Sequence, residues 1–264
     1  MNTEPQQPIG IFDSGIGGTS IWKEINTLLP NENTIYLSDS KNAPYGQKTK
    51  EDIIQLSVKN TEFLINQGCK VIVVACNTAT TNAIEYLRAN YNIPFIGIEP
   101  AIKPASIQTK TGVIGILATK GTLNSSLFEK TSANINNDVK IIEQIGEELV
   151  ELIENGKMYS SKMNQLLEEY LSPMISKKCD YIVLGCTHYP YLVPQIREII
   201  GSDIKIIDSG AAVAKQTKSI LDNKNLLNTS KKLIKNTFYI NKEKNILNDI
   251  LKEYQKVNII YLDF

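Results

Sequence analysis

The chain has 264 residues with 28 Lys and Arg against 28 Asp and Glu, so its formal net charge is zero, and the charges are dispersed. That balance argues against a basic nucleic-acid surface or a polybasic lipid patch, and no apolar run approaches the ~20 residues of a membrane span. Hydrophobic residues make up 42% of the chain, enough for one large core or two smaller ones, and the polar start MNTEPQQP does not read as a signal peptide, so a soluble cytoplasmic protein is expected.

The first apolar run, IGIFD (9–13), reads as a strand and leads into the turn DSGIGG (13–18). SIWKEINTLL (20–29) reads as a helix stopped by Pro30, and IYLSD (35–39) as a second strand. TKEDIIQLSVKNTEFLINQG (49–68) spaces its apolar residues by three and four and ends on Gly, the mark of an amphipathic helix. CKVIVVACNTATT (69–81) is a strand that runs into the helix TTNAIEYLRANY (80–91), and PFIGI (94–98) closes the first half. Strand runs then recur at IGILAT (114–119), KIIEQ (140–144), YIVLGC (181–186) and KIID (205–208), with helical runs at 148–156, 162–174 and 193–200. The tail reads as helix (211–222), strand TFYIN (237–241), a further helix, and strand NIIYLD (258–263).

The second half repeats the first. Four strand segments correspond in order, at offsets between 105 and 111 residues. A period this long indicates duplicated domains, not a solenoid of ~20–50 residue units. Alternating strands and helices predict parallel sheets covered by helices. The expected fold is therefore α/β, with two similar, pseudo-symmetric, doubly wound domains and an active site in the cleft between them. The tail fits neither repeat and is expected to pack on the first half. That gives a discontinuous first domain, 1–98 plus 208–264, and a second domain, 99–207.

Cys69, Cys76, Cys179 and Cys186 are too sparse for a disulfide framework. Zinc is disfavoured as well: on a strand, Cys69 and Cys76 would stand roughly 23 Å apart. Cys69 and Cys179 read as small buried hydrophobes. Cys76 and Cys186 fall at the C-terminal ends of equivalent strands, where sites in such folds lie. Each precedes a predicted helix start, whose N–H groups stabilise a thiolate. Two thiols facing one cleft suit removal of a proton from one face of a carbon and its return to the other. A structural role for each cysteine taken singly stays open.

The DSGIGG turn could hold a phosphate, and Asp39 ends the second strand as the ribose-binding acid of a dinucleotide site would. The glycine spacing fits that motif poorly, and Asp13 would repel phosphate while suiting an ammonium group.

DSGIGG (13–18), APYG (43–46), ACNTAT (75–80) and GCTHYP (185–190) together resemble the motifs of bacterial glutamate racemase, in that family's order and spacing. The resemblance covers residues 9 to about 210 well. It implies a cofactor-independent enzyme that interconverts L- and D-glutamate and supplies D-glutamate for peptidoglycan. It carries no metal, and it admits a homodimer. Cys76 is expected to face the D-enantiomer and Cys186 the L-enantiomer. Asp13 is expected to assist Cys76 and lie near the ammonium, and His188 to assist Cys186. Glutamate's carboxylates would be held by neutral donors: Ser14, the backbone N–H groups of Tyr45 and Gly46, and Asn77, Thr78 and Thr187, with Pro44 a further substrate-binding position. The same residues could instead serve as helix caps and turns. Thr119, Gly121 and Thr122 resemble further substrate-binding positions, with ordinary turn chemistry as the alternative. Glu154 matches a family glutamate, although the Cys-Pro that usually precedes it is replaced by Ile145 and Gly146; a solvated helix-end carboxylate is the competing reading. The resemblance leaves open a sister racemase acting on aspartate or hydantoin. A cysteine hydrolase using Cys186 and His188, or a glutamate-binding protein, leaves Cys76 or the paired thiols without a task.

Overall fold

The β-branched runs form strands. In the first half these are β1 (Ile9–Asp13), β2 (Thr34–Ser38), β3 (Val71–Val74) and β4 (Phe95–Gly97). In the second half they are β5 (Val113–Ala118), β6 (Lys140–Ile145), β7 (Tyr181–Gly185) and β8 (Lys205–Ile207), and the tail adds β9 (Asn236–Ile240) and β10 (Val257–Tyr261). The structure is a computed structural model that describes residues 4–135, 138–230 and 233–264. Its first sheet has six parallel strands in the order β10-β9-β2-β1-β3-β4, and its second has four in the order β6-β5-β7-β8. The orders β2-β1-β3-β4 and β6-β5-β7-β8 are the same topology twice, so the internal repeat is a repeat of fold.

β1, β3 and β7 are buried at every position. Continuous apolar runs of this kind suit a parallel strand covered on both faces, where alternation is not needed. Ile9, Ile11 and Phe12 are wholly inaccessible, and truncating one such side chain to Ala costs about 2–5 kcal/mol. β9 and β10 extend the first sheet beyond β2, and the helix Gly210–Asn223 packs against the helix Thr19–Leu28. Trp22 fastens this arrangement, meeting Phe238 of β9 edge-on with ring centroids 4.9 Å apart.

The helix Lys50–Asn66 starts at Thr49, whose hydroxyl accepts from the Asp52 N–H at 3.1 Å, and the chain turns away at Gly68, which adopts φ +75°. The helix Asn77–Asn90 begins three residues before the TTNAIEYLRANY reading, because Cys76 caps it. Two short helices, Ile102–Gln108 and Ser126–Ala133, were not legible in sequence. The first carries Pro104 inside its first turn, and both are too short to show a stripe. Among the described residues, no helix is long and apolar enough to cross a membrane.

Candidate active site

In each sheet the strand order reverses around one central strand: β2 and β3 flank β1, and β6 and β7 flank β5. Chains leaving the C-terminal ends of β1 and β3, or of β5 and β7, diverge there and open a crevice. The two crevices face each other. Ser14, Pro44, Tyr45, Gly46, Cys76, Asn77 and Thr78 from the first half line one cavity with Thr119, Cys186, Thr187 and His188 from the second. The cavity is about 10 Å³, close to the room one water molecule needs, so a substrate enters only as its walls part. Both thiols reach it, and both cysteines are only 5% exposed.

Cys76 occupies the N-cap of the helix Asn77–Asn90. Its sulfur accepts from the Ala79 N–H at 3.4 Å, and its thiol donates to the Ser14 hydroxyl at 3.6 Å. Burial pushes its pKa up, and the charge of Asp13 adds to this; the Ala79 N–H and Ser14 work against both. Cys76 therefore rests as a thiol, with a helix N-terminus ready to receive its anion.

Cys186 is surrounded differently. The predicted helix start after it is a turn through Thr187 and His188, then a 3-10 turn, Tyr189–Leu192, and only then the helix Val193–Ile200. Pro190 and Pro194 lack the N–H groups that an earlier α-helix would need. In place of a helix end, Cys186 has His188, with Nδ1 3.7 Å from its sulfur. The far nitrogen, Nε2, lies 2.6 Å from Glu154 Oε1. Burial disfavours the imidazolium, but the bonds to Cys186 and Glu154 outweigh it and raise the His188 pKa well above the ordinary range.

Glu154 is a buried carboxylate at the end of the helix Leu149–Glu154, not a solvated one. It also accepts from the Ile16 N–H at 2.7 Å and from the Ser40 hydroxyl at 2.8 Å. Both donors belong to the first half, so the carboxylate spans the two repeats. The loop after β1 approaches the second half closely: a Cβ on Gly17 would lie 2.2 Å from His188 Nδ1, and one on Gly15 1.9 Å from Glu154 Oε1.

Asp13, at the end of β1, is wholly buried. Its Oδ2 accepts from the N–H groups of Gly15 at 3.1 Å and Gly18 at 3.0 Å, and its Oδ1 from the Thr187 hydroxyl at 3.2 Å. Burial raises its pKa to about 6, against the lowering influence of His188 and of those N–H groups. Its side-chain bonds thus go to the loop and to Thr187, and it acts on Cys76 through its charge.

Thr78, Thr119 and Thr122 join hydroxyls across the seam, at 2.8 Å for Thr78 to Thr119 and 3.0 Å for Thr119 to Thr122. Gly46 and Gly121 meet there; a Cβ on Gly121 would stand 3.0 Å from the Gly46 Cα. Asn77 is buried at the cavity, and neither its Oδ1 nor its Nδ2 has a hydrogen-bond partner among the described residues. A buried, unspent amide is costly unless a ligand meets it. Asp13, Gly121, Thr122 and Glu154 stand behind the cavity wall and do not line it. Val150, which does, gave no sequence signal; Ser40, one residue past Asp39, could have been found from the rule that sites sit at strand ends. Arg88 and Arg197 donate to backbone carbonyls of Phe95, Gly201 and Ile204 and do not line the cavity. Among the described residues, no group of three or more His, Cys, Asp or Glu comes together as a metal cage.

The Asp/Glu/hydantoin racemase family model matches residues 9–217. The glutamate racemase of Herpetosiphon aurantiacus is 46% identical over 84% of this chain and 87% of its own length. The crystal structure of glutamate racemase isoform RacE1 from Bacillus anthracis superposes with a TM-score of 0.88 at 30% identity, covering 99% of both chains. The Escherichia coli glutamate racemase, solved with L-glutamate and the activator UDP-MurNAc-ala, superposes with a TM-score of 0.85 at 32% identity, covering 97% of this chain and 98% of that one. With the duplicated fold and a cysteine at each equivalent strand end, these matches place the chain in the Asp/Glu/hydantoin racemase family, among the glutamate racemases.

Proposed function

We propose that this chain interconverts L- and D-glutamate by a two-thiol proton transfer at the α-carbon. The carrying observation is that Cys76 and Cys186, from equivalent strand ends of two repeats, line a single cavity. In the L-to-D direction, the Cα–H bond breaks as Cys186 takes the proton, and the electron pair spreads into the α-carboxylate. The Cys76 S–H then breaks as its proton bonds to the opposite face of the carbon. The reverse direction exchanges the two roles.

The surroundings of the two sulfurs differ in the sense this requires. The contacts to Cys186 and Glu154 favour the imidazolium of His188, whose Nδ1 stands 3.7 Å from the Cys186 sulfur. Burial and the charge of Asp13 hold Cys76 as a thiol. Ser14, Asn77, Thr78, Thr119, Thr187 and the N–H groups of Tyr45 and Gly46 are the carboxylate donors in this reading, Pro44 lines the cavity beside them, and Asp13 offsets the charge of the ammonium from behind the wall. Thr122 and Gly121 support Thr119 from behind. Neutral donors hold the two carboxylates without salt bridges to a cation that would have to be undone in the transition state. The Escherichia coli relative is solved with L-glutamate, which supports the substrate assignment. We assign the chain to the cytoplasm, as a source of D-glutamate for peptidoglycan, with domains 1–98 plus 208–264 and 99–207.

The test is exchange of the α-proton in D2O, followed by NMR together with optical rotation, using L-glutamate, D-glutamate and aspartate and no added cofactor. Wild type is expected to lose both signals with either glutamate enantiomer. Cys76→Ser and Cys186→Ser each lose racemisation by more than about 10²-fold, the low end of what a general acid or base contributes. Cys186→Ser still exchanges the proton of D-glutamate, and Cys76→Ser that of L-glutamate. Exchange of both enantiomers by one single variant would sink the division of faces, and turnover of aspartate alone would move the substrate.

A further inference from the structure

Asp39, just past the end of β2, lies outside the residues assigned above, yet it is wholly buried and heavily bonded. Four side chains donate to it: Tyr45 at 2.5 Å, Asn241 at 2.6 Å, Asn42 at 2.8 Å and Lys59 at 3.5 Å. Lys59, with a side chain 37% exposed, is the one cation among these donors, and it is shared with the carbonyl of Phe264. A buried carboxylate met mainly by neutral donors is expensive to keep, so what it holds in place is informative.

It holds Tyr45. Burial, and then the charge of Asp39, raise the Tyr45 pKa well above the ordinary range, so the ring stays a phenol and donates a charge-assisted bond. Asn60 donates to the same oxygen at 3.2 Å, and the ring lies in the apolar cluster of Phe12 and Leu37. Both the ring and its hydroxyl are therefore fixed. The segment they anchor, residues 44–46, lines the cavity and packs against Thr119. Asn241, just past β9, braces the cluster: its amide donates to Asp39, and its carbonyl oxygen accepts from the Lys41 N–H at 2.9 Å. We propose that Asp39, braced by Asn241 from the tail, is a positioning residue that locks the Tyr45 hydroxyl and presets segment 44–46 for a substrate carboxylate. This gives the tail beyond the repeats a part in the site. It rests on the substrate-binding reading of that segment.

A preset loop acts on affinity. If only a fraction of molecules holds the loop in place, the apparent dissociation constant rises by the inverse of that fraction, while saturated enzyme turns over as before. Asp39→Asn and Tyr45→Phe, made in the full chain, are each expected to raise the KM for L-glutamate about tenfold with kcat within about twofold of wild type. Asn241→Ala is expected to raise KM severalfold. The Asp39→Asn/Tyr45→Phe double variant is expected to be no worse than the poorer single one, since both break the same link. Tyr45→Phe deletes one hydroxyl and leaves the buried ring, which guards against a variant that simply does not fold. An unchanged KM with a lowered kcat or melting temperature marks a merely structural cluster and overturns the proposal, as do additive effects in the double variant. The Tyr45 hydroxyl proton provides a readout that does not depend on turnover. It is expected as a slowly exchanging downfield NMR signal in wild type, lost in Asp39→Asn. Its survival in Asp39→Asn overturns the clamp, whereas a wild type inert toward glutamate overturns the functional reading alone.

Discussion

The burial of Asp13 works against the fold. Its pKa is about 6 in the folded chain against an ordinary 3.8. Between those values the folded state keeps a proton that the unfolded chain has lost, so stability falls as pH rises through the window. Above it the full cost is present, at most about 3 kcal/mol for a shift of this size. Asp13→Asn is expected to remove that cost while keeping the loop's bonds. The amide oxygen can take the Gly15 and Gly18 N–H groups that Oδ2 now accepts, and the amide nitrogen can donate to Thr187. The variant should melt several degrees higher than wild type at pH 8, lose the difference near pH 4, and have little racemase activity. Melting curves at the two pH values check this; a variant less stable than wild type at pH 8 contradicts it. Asp13, Cys76 and Cys186 were legible because each sits within a few residues of a strand end and a motif. Glu154 was not resolved between a solvated carboxylate and a site member, because two of its partners, Ile16 and Ser40, are 138 and 114 residues away in sequence. No local pattern carries such a contact.

The loop between β1 and the helix Thr19–Leu28 shows what an element contributes beyond its own residues. In sequence it reads as a glycine-rich turn suited to hold a phosphate or an ammonium. Two of its glycines instead make room for the other half of the molecule. Gly17 has no side chain because His188 occupies that space, and its N–H lies 3.2 Å from His188 Nε2. An alanine there forces the imidazole to move, and with it the ion pair to Glu154 and the contact to Cys186. A displacement near 1 Å in a catalytic group can cost about 10²-fold, so Gly17→Ala should lower kcat/KM on that scale. The loss must be equal in both directions, since the equilibrium constant between enantiomers is one. Steady-state kinetics with L- and D-glutamate check it, alongside a circular dichroism spectrum like that of wild type. A variant with wild-type kcat/KM would mean that the imidazole can shift without consequence. The structure also shows where the repeat stops being symmetric. The matched strands suggested that both cysteines stand before a helix. Only Cys76 does, and the prolines of HYPYLVP (188–194) give Cys186 a 3-10 turn and a histidine in its place.

At the scale of the whole molecule the candidate site lies at the C-terminal ends of the strands, and a different cluster holds the first sheet at its N-terminal ends. Lys70, immediately before β3, is wholly buried. It donates to Glu32 at 2.5 Å and to the carbonyls of Pro5 at 2.6 Å and Leu226 at 2.8 Å, and Glu32 in turn accepts from the Asn228 N–H at 2.8 Å. One buried pair thus ties the start of the chain, the turn before β2, the entry to β3 and the tail. Two apolar residues in place of such a pair are often tolerated, whereas removing one partner strands a buried charge and costs about 3–5 kcal/mol. Lys70→Met should therefore lower the melting temperature by roughly 10 °C, at ~2–4 °C per kcal/mol for a chain of this size. Adding Glu32→Gln should recover part of that loss, because the stranded carboxylate is then gone. The kcat of both variants at 25 °C should stay close to wild type, since neither residue reaches the cleft. Thermal melts and steady-state rates on the two variants separate the outcomes. A double variant no more stable than Lys70→Met would mean that the lysine's bonds to the two carbonyls, and not the ion pair, hold the tail to the first sheet.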